Sequence, residues 1–201
     1  MKSISTLTLF VLILLHTTLY AQTKRIPVAY SAVSASQSAF YITKEAGLFE
    51  KHGLFVDPVY VASGTKVAQA VIAGEFPVAL AGGTVVNANL AGGDIAIFGG
   101  VVNVPSFYVF VHSSIKRPED LKGKTVGITT FGSSTDFSIR YLIKKLGMEP
   151  DKDVKILQMG GQPQIVAGMV AGAVQAGVLS SPANYNAMKA GFQMLVDFKS
   201  V

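Results

Sequence analysis

The chain has 201 residues and a formal net charge of +5, half of its residues are hydrophobic, and its mean hydropathy is +0.44. This length and composition fit one globular domain or two small lobes and argue against a largely disordered chain. Because the sequence contains no cysteine, disulfide bonds, thiol nucleophiles, Cys-ligated metal centres and a lipid-modified cysteine are all excluded.

The first 21 residues have the layout of a secretory signal peptide. Lys2 supplies a positive start, residues 7–15 are almost wholly apolar, and Ala21 ends the stretch shortly before two basic residues. An uncleaved membrane anchor is the alternative, because residues 3–21 contain no Asp, Glu, Lys or Arg and are nearly long enough to cross a bilayer. We expect cleavage near Ala21 and, since no cysteine can carry a lipid, release into the periplasm as a free protein.

After this segment, short apolar runs alternate with stretches of helical periodicity. In the first half we predict strands over residues 26–30, 55–61 and 78–81, and helices over residues 39–51 and from Thr65 through Ala73. In the second half we predict strands over residues 125–128, 154–158 and 176–179, and helices over residues 135–146 and 163–171. Such alternation predicts an α/β fold with parallel sheets and helices on both faces of each sheet.

The two halves repeat each other at a constant separation of 98 residues. The matching pairs are Val28 with Val126, Val67 with Ile165, Val71 with Met169, Ala73-Gly74 with Ala171-Gly172, and Leu80 with Val178. A common offset across several elements predicts two lobes of the same build.

An apolar stretch over residues 95–111 joins the two halves and is interrupted at Asn103, Val104 and Pro105. Proline removes a ladder donor and restricts the residue before it, so a strand should break there. We therefore predict a first lobe over residues 22–102, a hinge over residues 103–106 and a second lobe over residues 107–201. An ordinary connection between two strands of one lobe is the alternative.

Small residues with hydroxyl or amide groups follow each predicted strand. Ligands of open parallel sheets bind beyond the carboxyl ends of the strands, where free backbone N–H groups at helix starts favour anions. Helix capping explains any single one of these loops, because caps prefer the same residue types. Lys66 is the one basic residue beside these loops, and Asp136 is best interpreted as stabilising a helix start.

Signals for catalysis or metal binding are weak. After the signal peptide only His52 and His112 remain, and no catalytic or phosphate-binding motif occurs. The basic residues of the second half are interspersed with acidic ones, which favours a solvated face over a nucleic-acid surface. We predict no catalytic residue, no metal and no cofactor.

Five segments, taken in order, carry a family resemblance: KEAGLFEKHGL, AVIAGEFPVALAGGT, LKGKTVGI, FGSSTDF and MVAGAVQAGVLSSP. Together they resemble the nitrate/sulfonate/taurine/bicarbonate family of periplasmic solute-binding proteins, which includes binders of thiamine pyrimidine precursors. The resemblance implies a two-lobed type 2 periplasmic binding fold that closes on a small solute like a Venus flytrap. It also implies a monomer that delivers the solute to an ABC permease and its ATPase in the inner membrane.

By position, the resemblance assigns the ligand contacts to both lobes. The residues are Ser36, Gln37, Gly64, Thr65, Gly83 and Thr84 in the first lobe, and Ser133, Ser134, Ser180 and Ser181 in the second. These loops suit nitrate, sulfonates, carboxylates and amidic heterocycles about equally, so the solute stays open.

Family members continue past the position of Val201 and return to the first lobe, so we interpret the sequence as a fragment. Two other functions stay open. One is an enzyme of the same fold that makes the thiamine pyrimidine, which the absence of cysteine and the scarcity of histidine disfavour. The other is the ligand-sensing module of a signalling protein.

Overall fold

A computed structural model describes residues 24–201, and the predicted signal peptide lies outside this range. The described chain forms a three-stranded and a five-stranded sheet, with strand orders β2-β1-β3 and β6-β5-β7-β4-β8. The strands are β1 (Arg25–Tyr30), β2 (Phe55–Tyr60), β3 (Val78–Leu80), β4 (Tyr108–Val111), β5 (Thr125–Ile128), β6 (Lys155–Gln158), β7 (Ala176–Leu179) and β8 (Gln193–Asp197). The α-helices are α1 (Ser38–Glu45), α2 (Leu48–Lys51), α3 (Gly64–Ile72), α4 (Thr84–Leu90), α5 (Ser134–Lys145), α6 (Gln162–Val170) and α7 (Ala183–Lys189).

The first lobe consists of the three-stranded sheet and helices α1 to α4. Strand β1 is central, and its successive side chains point to opposite faces, so Val28 and Ala29 enter different cores. Val28 packs with Phe40 of α1, whereas Ala29 packs with Val67 of α3. Helices therefore cover both faces of this sheet, as the alternation of the sequence predicts.

The second lobe consists of the five-stranded sheet and helices α5 to α7. On one face, Val109 and Val111 of β4 pack in the same core as three buried residues of α5, namely Ile139, Leu142 and Ile143. On the other face, Phe110 packs with residues of α6 and α7. The α/β arrangement with helices on both faces is confirmed in this lobe too.

The predicted 98-residue repeat is confirmed down to the register of strand pairing. Val28 lies opposite Pro58 and Val78 in the first sheet, and Val126 lies opposite Ile156 and Ala176 in the second. Each residue of the second set is 98 positions after its counterpart. Helices α3 and α6 are offset by the same 98 residues at both ends. The two lobes therefore share one β-α-β-α-β build.

The second sheet is mixed, where the sequence predicted parallel strands alone. Strands β5, β6 and β7 are parallel, but β4 pairs antiparallel with both β7 and β8. Strand β4 brings the chain into the lobe from the connecting segment and therefore runs against the repeat strands. Strand β8 was not anticipated, and neither were helices α4 and α7.

The helix expected over residues 39–51 is two helices. Gly47 separates α1 from α2 and has a left-handed φ of 65°, which ends the first helix and redirects the chain. The apolar spacing continues across this turn, because both helices pack on the same core through Phe40 and Phe49. Periodicity alone therefore could not reveal the break.

Residues 95–107 connect the lobes without a regular strand, although the sequence predicted a strand that breaks at Pro105. Only the part after the break, β4, is paired. Phe98 is 84% exposed, and Ile97 and Val101 are also exposed, so these apolar side chains are not part of a core within the described residues. An apolar stretch forms a strand only where a neighbouring strand offers its edge for hydrogen bonding.

Candidate functional site

The loops that follow the strands of both lobes meet at one interface. On one side, the Ala35 amide donates to the Ser181 carbonyl across 3.0 Å. On the other side, the Thr65 hydroxyl donates to the Phe131 carbonyl across 3.2 Å. Loops from the carboxyl ends of both sheets are therefore in direct contact, as expected for strand ends that face a shared site.

A buried pair of hydroxyls lies at the centre of this interface. Ser63 Oγ and Thr130 Oγ1 are hydrogen-bonded, and both residues are almost fully buried. Thr130 Oγ1 also donates to Thr65 Oγ1 across 3.3 Å. At the rim, the Asn87 side chain donates to the Gly132 carbonyl across 3.4 Å.

Gln37 organises the loop after β1. Its carboxamide oxygen accepts from the Ala32 amide at 3.1 Å, and its nitrogen donates to Ser31 Oγ at 2.9 Å and to the Leu80 carbonyl at 3.2 Å. The side chain is buried and its hydrogen-bonding groups serve this loop. Ser36, beside it, pairs its hydroxyl with that of Ser34 at 2.8 Å.

Gly64 and Thr84 join the loops after β2 and β3. A Cβ atom on Gly64 would lie 2.5 Å from Thr84 Oγ1 and 2.6 Å from the Ala81 carbonyl oxygen, so only glycine fits. Thr84 Oγ1 itself is buried without a hydrogen-bond partner within the described residues. A buried unpaired hydroxyl is costly, and its presence beside these loops is typical of a polar site.

Ser134 faces the glycine pair of the opposite lobe. A Cβ atom on Gly82 or Gly83 would lie 3.6 or 3.8 Å from Ser134 Oγ. Ser134 is the first residue of helix α5 and is half-buried. Ser134 and Gly83, both predicted ligand contacts, are therefore neighbours across the interface.

Ser133, in contrast, is used inside its own loop. Its hydroxyl accepts from Thr129 Oγ1 at 2.9 Å, is hydrogen-bonded to Thr135 Oγ1 at 2.8 Å, and caps α5 by accepting the Asp136 amide at 3.4 Å. Ser133 is 3% exposed, which leaves little of its hydroxyl for a solute. A residue chosen for its type at a helix start thus has a capping role here.

Asp136 stabilises the same loop, as the sequence indicated. One carboxylate oxygen accepts the Gly132 amide at 2.8 Å, and the other accepts Arg140 Nε at 2.7 Å. Arg140 also donates to Asp151 at 2.6 Å and lies over the Phe131 ring, 5.9 Å from its centroid. The loop that contains Phe131 and Gly132 is therefore fixed by the hydrogen-bonded charges of Asp136, Arg140 and Asp151.

Ser180 and Ser181 form the floor of the interface together with Gln162. Gln162 accepts the Ser180 amide at 2.8 Å and donates to Ser180 Oγ at 2.8 Å. The Ser181 carbonyl accepts the amide from the first lobe described above. Gln162 was not among the residues that the sequence analysis assigned to the site.

A cluster of three tyrosines was also missed: Tyr30 and Tyr60 are the last residues of β1 and β2, and Tyr41 lies in α1. The Tyr30 ring lies 5.3 Å from those of Tyr41 and Tyr60, and the Tyr41 hydroxyl donates to the Ala32 carbonyl at 2.5 Å. Burial, reinforced by the neighbouring phenols of Tyr30 and Tyr60, raises the pKa of Tyr41 to about 12. For Tyr30 and Tyr60, the position at the ends of two paired strands was the signal that could have placed them beside the strand-end loops.

The other chemistry-bearing residues lie apart. His112 is hydrogen-bonded to Ser114, and its ring lies against that of Phe192. Neither partner belongs to the strand-end loops of the interface. Within residues 24–201, no group of three or more His, Asp or Glu side chains is arranged to hold a metal ion. Over the same residues, none of the helices combines the length and apolar character needed to cross a bilayer.

The chain is similar to known proteins in both sequence and structure. The family profile described as NMT1/THI5 like matches residues 34–199. A protein of Brucella abortus (strain 2308), whose name describes a binding protein and specifies no ligand, is 31% identical over 134 residues, which are 66% of this chain and 40% of that protein.

Two solved structures are similar to this fold. The alkanesulfonate-binding protein SsuA of Xanthomonas axonopodis pv. citri, bound to MOPS, has a TM-score of 0.74 and 22% identity over 87% of this chain and 61% of that one. The periplasmic nitrate-binding protein NrtA of Synechocystis PCC 6803 has a TM-score of 0.63 and 18% identity over 86% of this chain and 51% of that one.

The chain therefore spans about half the length of these proteins. The match to the family profile covers most of the described residues, and both structural neighbours have the fold that the sequence resemblance implied. We conclude that the chain has the periplasmic binding protein fold and belongs to the NMT1/THI5-like family.

Proposed function

We propose that this protein captures a small solute between its two lobes, as the receptor of an ABC importer in the periplasm. The observation that carries the proposal is the convergence of strand-end loops from both sheets on one polar interface, through the contacts of Thr65 and Ala35 with the second lobe. Membership of the NMT1/THI5-like family supports the same function. Solute capture requires no catalytic group, and His52 and His112, the histidines of the described residues, contribute no hydrogen bond to this interface.

We propose that hydroxyl and backbone N–H groups bind the solute. Ser36, Thr65, Gly83 and Ser134 are the candidates because none of them is fully buried. Gln37, Ser133 and Ser180 are buried and shape the loops through their internal hydrogen bonds. Helices α3, α5 and α6 begin at these loops, so their N-terminal amides would favour a negative group. An anionic or zwitterionic solute is therefore the best match.

Sulfonates and small oxyanions are the first solutes to test. SsuA is an alkanesulfonate-binding protein and NrtA a nitrate-binding protein, and both have this fold. A sulfonate offers three acceptor oxygens, which suits a site rich in N–H and O–H donors. Bicarbonate and pyrimidine-like compounds complete the set that the family resemblance implies.

The proposed function also includes export of the protein, delivery of the solute and movement of the lobes. We propose that residues 1–21 direct export and are removed, and that the protein passes its solute to a permease with its ATPase. Opening and closing would occur about residues 103–106, because this part of the connection lacks regular structure and few backbone hydrogen bonds resist its movement.

The proposal is tested by thermal shift and calorimetry on the full protein. The panel contains MOPS, taurine, nitrate, bicarbonate and an aminopyrimidine. We expect one class to bind with a micromolar dissociation constant, which corresponds to about 8 kcal/mol. At a hundredfold excess over that constant the solute should stabilise the fold by about 2.7 kcal/mol.

The site assignment is tested by Ser134→Ala, with Ser114→Ala on an exposed loop as the matched control. Loss of one hydroxyl contact should weaken binding about tenfold in the first variant and leave the control unchanged. A folded protein that binds no member of the panel at millimolar concentration would refute solute capture of these classes. Equal affinity in both variants would refute only the role of Ser134.

A further inference from the structure

The second lobe contains a groove that is separate from the strand-end loops. It has a volume of about 520 Å³ and lies between β4, β8, α7 and the turn that joins α7 to β8. Sites for small molecules in proteins have volumes of about 300–1,000 Å³. All of the lining residues belong to the second lobe, so the groove does not depend on contact with the first lobe.

Aromatic rings and thioethers form most of the walls. Phe110 is buried at the base, and the Tyr108 ring meets it edge to face with the ring centroids 6.4 Å apart. Phe192 and two exposed methionines, Met188 and Met194, complete the apolar lining. Thioethers adapt to irregular shapes and make favourable contacts with aromatic rings, and rings themselves favour edge-to-face partners. These walls therefore suit a flat aromatic molecule.

One polar side chain in the groove is buried without a partner. Asn184 lines the groove and is 8% exposed, and its Oδ1 atom has no hydrogen-bond partner within the described residues. A buried acceptor that is left unpaired costs stability, and a ligand that donates a hydrogen bond would remove that cost. The terminal torsion of asparagine has a broad, nearly twofold profile, so rotation about it can present the oxygen to a molecule in the groove.

The internal repeat indicates that packing does not require an asparagine at this position. The residue 98 positions earlier is Val86, in the helix α4 that corresponds to α7. Val86 is apolar and 49% exposed, whereas Asn184 is polar and buried. Burial of an unpaired polar group is less favourable than burial of valine, so this difference between the lobes points to binding rather than to packing.

No acidic or basic side chain lines the groove. The remaining polar residue of the lining is Gln193, whose Nε2 donates to the Ile115 carbonyl across 2.8 Å and is therefore already engaged. A groove without charge offers nothing to offset the desolvation of an ion. Its complement is therefore a neutral molecule.

We propose that this groove binds a neutral aromatic molecule that carries one N–H or O–H donor. The donor is bound by Asn184 Oδ1, and the ring packs against Phe110 and Met188. This ligand class differs from the anionic or zwitterionic solute of the strand-end loops. The groove is thus a second binding site, confined to one lobe.

Indole is the probe for this site, and the full chain is tested without any solute. Because the sequence contains no tryptophan, excitation beyond the absorption of tyrosine reaches indole alone, and its emission and anisotropy report binding. We expect saturable binding with a dissociation constant of about 1 mM or below. Benzofuran has nearly the same shape but no N–H group, so as a competitor it should bind about tenfold more weakly.

Two variants test the assigned contacts. Asn184→Leu keeps the shape of the side chain and removes the acceptor, so indole should bind about tenfold more weakly while benzofuran is unaffected. Asn186→Leu, at an exposed position of the same helix, is the matched control and should change neither affinity. Met188→Ala removes an apolar contact and should weaken both ligands alike. Since Met188 is exposed, this variant tests the groove even if the substitution of Asn184 prevents folding.

Each result supports or overturns the second site. Saturable binding of indole that Asn184→Leu or Met188→Ala weakens and Asn186→Leu preserves supports it. Absence of saturation up to the solubility limit of indole overturns it. Equal affinity for indole and benzofuran, or binding that neither groove variant weakens, overturns it as well. None of these results bears on solute capture, because no member of the solute panel is present.

Discussion

Replacing Gly64 with alanine tests whether the loops after β2 and β3 are packed as closely as the structure shows. The added Cβ atom would lie 2.5 Å from Thr84 Oγ1 and 2.6 Å from the Ala81 carbonyl oxygen, whereas ordinary contact begins at 3.4 Å. The carbonyl belongs to the backbone and cannot rotate away, so the loop after β3 must move by about 0.8 Å. Overpacking of this kind costs about 1–3 kcal/mol.

Urea denaturation followed by circular dichroism measures this cost. Gly99→Ala is the matched control, because a Cβ atom there would meet nothing within 4 Å and the backbone φ is ordinary. We expect the midpoint of Gly64→Ala to fall with an unchanged slope, and the control to stay within about 0.5 kcal/mol of the parent chain. Equal midpoints for the two variants would refute the close approach of these loops.

Three further predictions follow from the site and its surroundings. Ser133→Ala should lower the free energy of unfolding by about 1 kcal/mol because it removes the cap of α5, while Ser134→Ala should not, and denaturation of both variants checks this. The raised pKa of Tyr41, about 12, means that its stabilising effect is complete below pH 10 and is lost as the pH rises through 12. Burial also raises the pKa of Tyr60, so a spectroscopic phenol titration should show late-ionising tyrosines, of which Tyr41→Phe removes one. Hydrogen bonds from the Arg117 amide, together with the next amide before it, lower the pKa of Asp120 below 3.8, so stability is lost as the pH falls through that lowered pKa, and Asp120→Asn should flatten the acid unfolding profile.

The repeat is the part of the fold that the sequence predicted in most detail. The offset of 98 residues between Val28 and Val126 holds in the pairing of both strands with their neighbours. Hydrophobic patterning could supply this because a half-buried strand and its covering helix each require apolar residues at regular intervals. Duplicated patterns therefore produced duplicated structure.

The sequence predictions failed where the local structure depends on backbone conformation or on pairing with a distant segment. Gly47 divides a continuous helical pattern because it adopts a left-handed conformation. The spacing of apolar residues does not indicate the φ angle of a residue within the pattern. Residues 95–102 are apolar enough for a strand but have no paired edge within the described chain. Strand β8 pairs with β4, a contact between segments more than 80 residues apart that local patterns do not encode.

The sequence by itself indicated the strand-end loops that the structure brings together. The residue types were informative, because Ser, Thr and Gly after a strand mark places where backbone N–H groups are free. Which hydroxyl faces which partner was decided by tertiary structure. Ser133 turned inward as a cap, Ser134 faced Gly83, and Thr130, not singled out in the sequence, reached Ser63 across the interface.

The chain thus determined locally that it would form two α/β lobes with polar loops at the strand ends, because periodicity and helix-start chemistry depend on neighbours in sequence. Only the tertiary structure decided how the two sets of loops meet. Contacts such as that between Thr65 and the Phe131 carbonyl join residues 66 positions apart. Their geometry depends on the packing of both lobes and on the segment between them, and no local pattern contains that information.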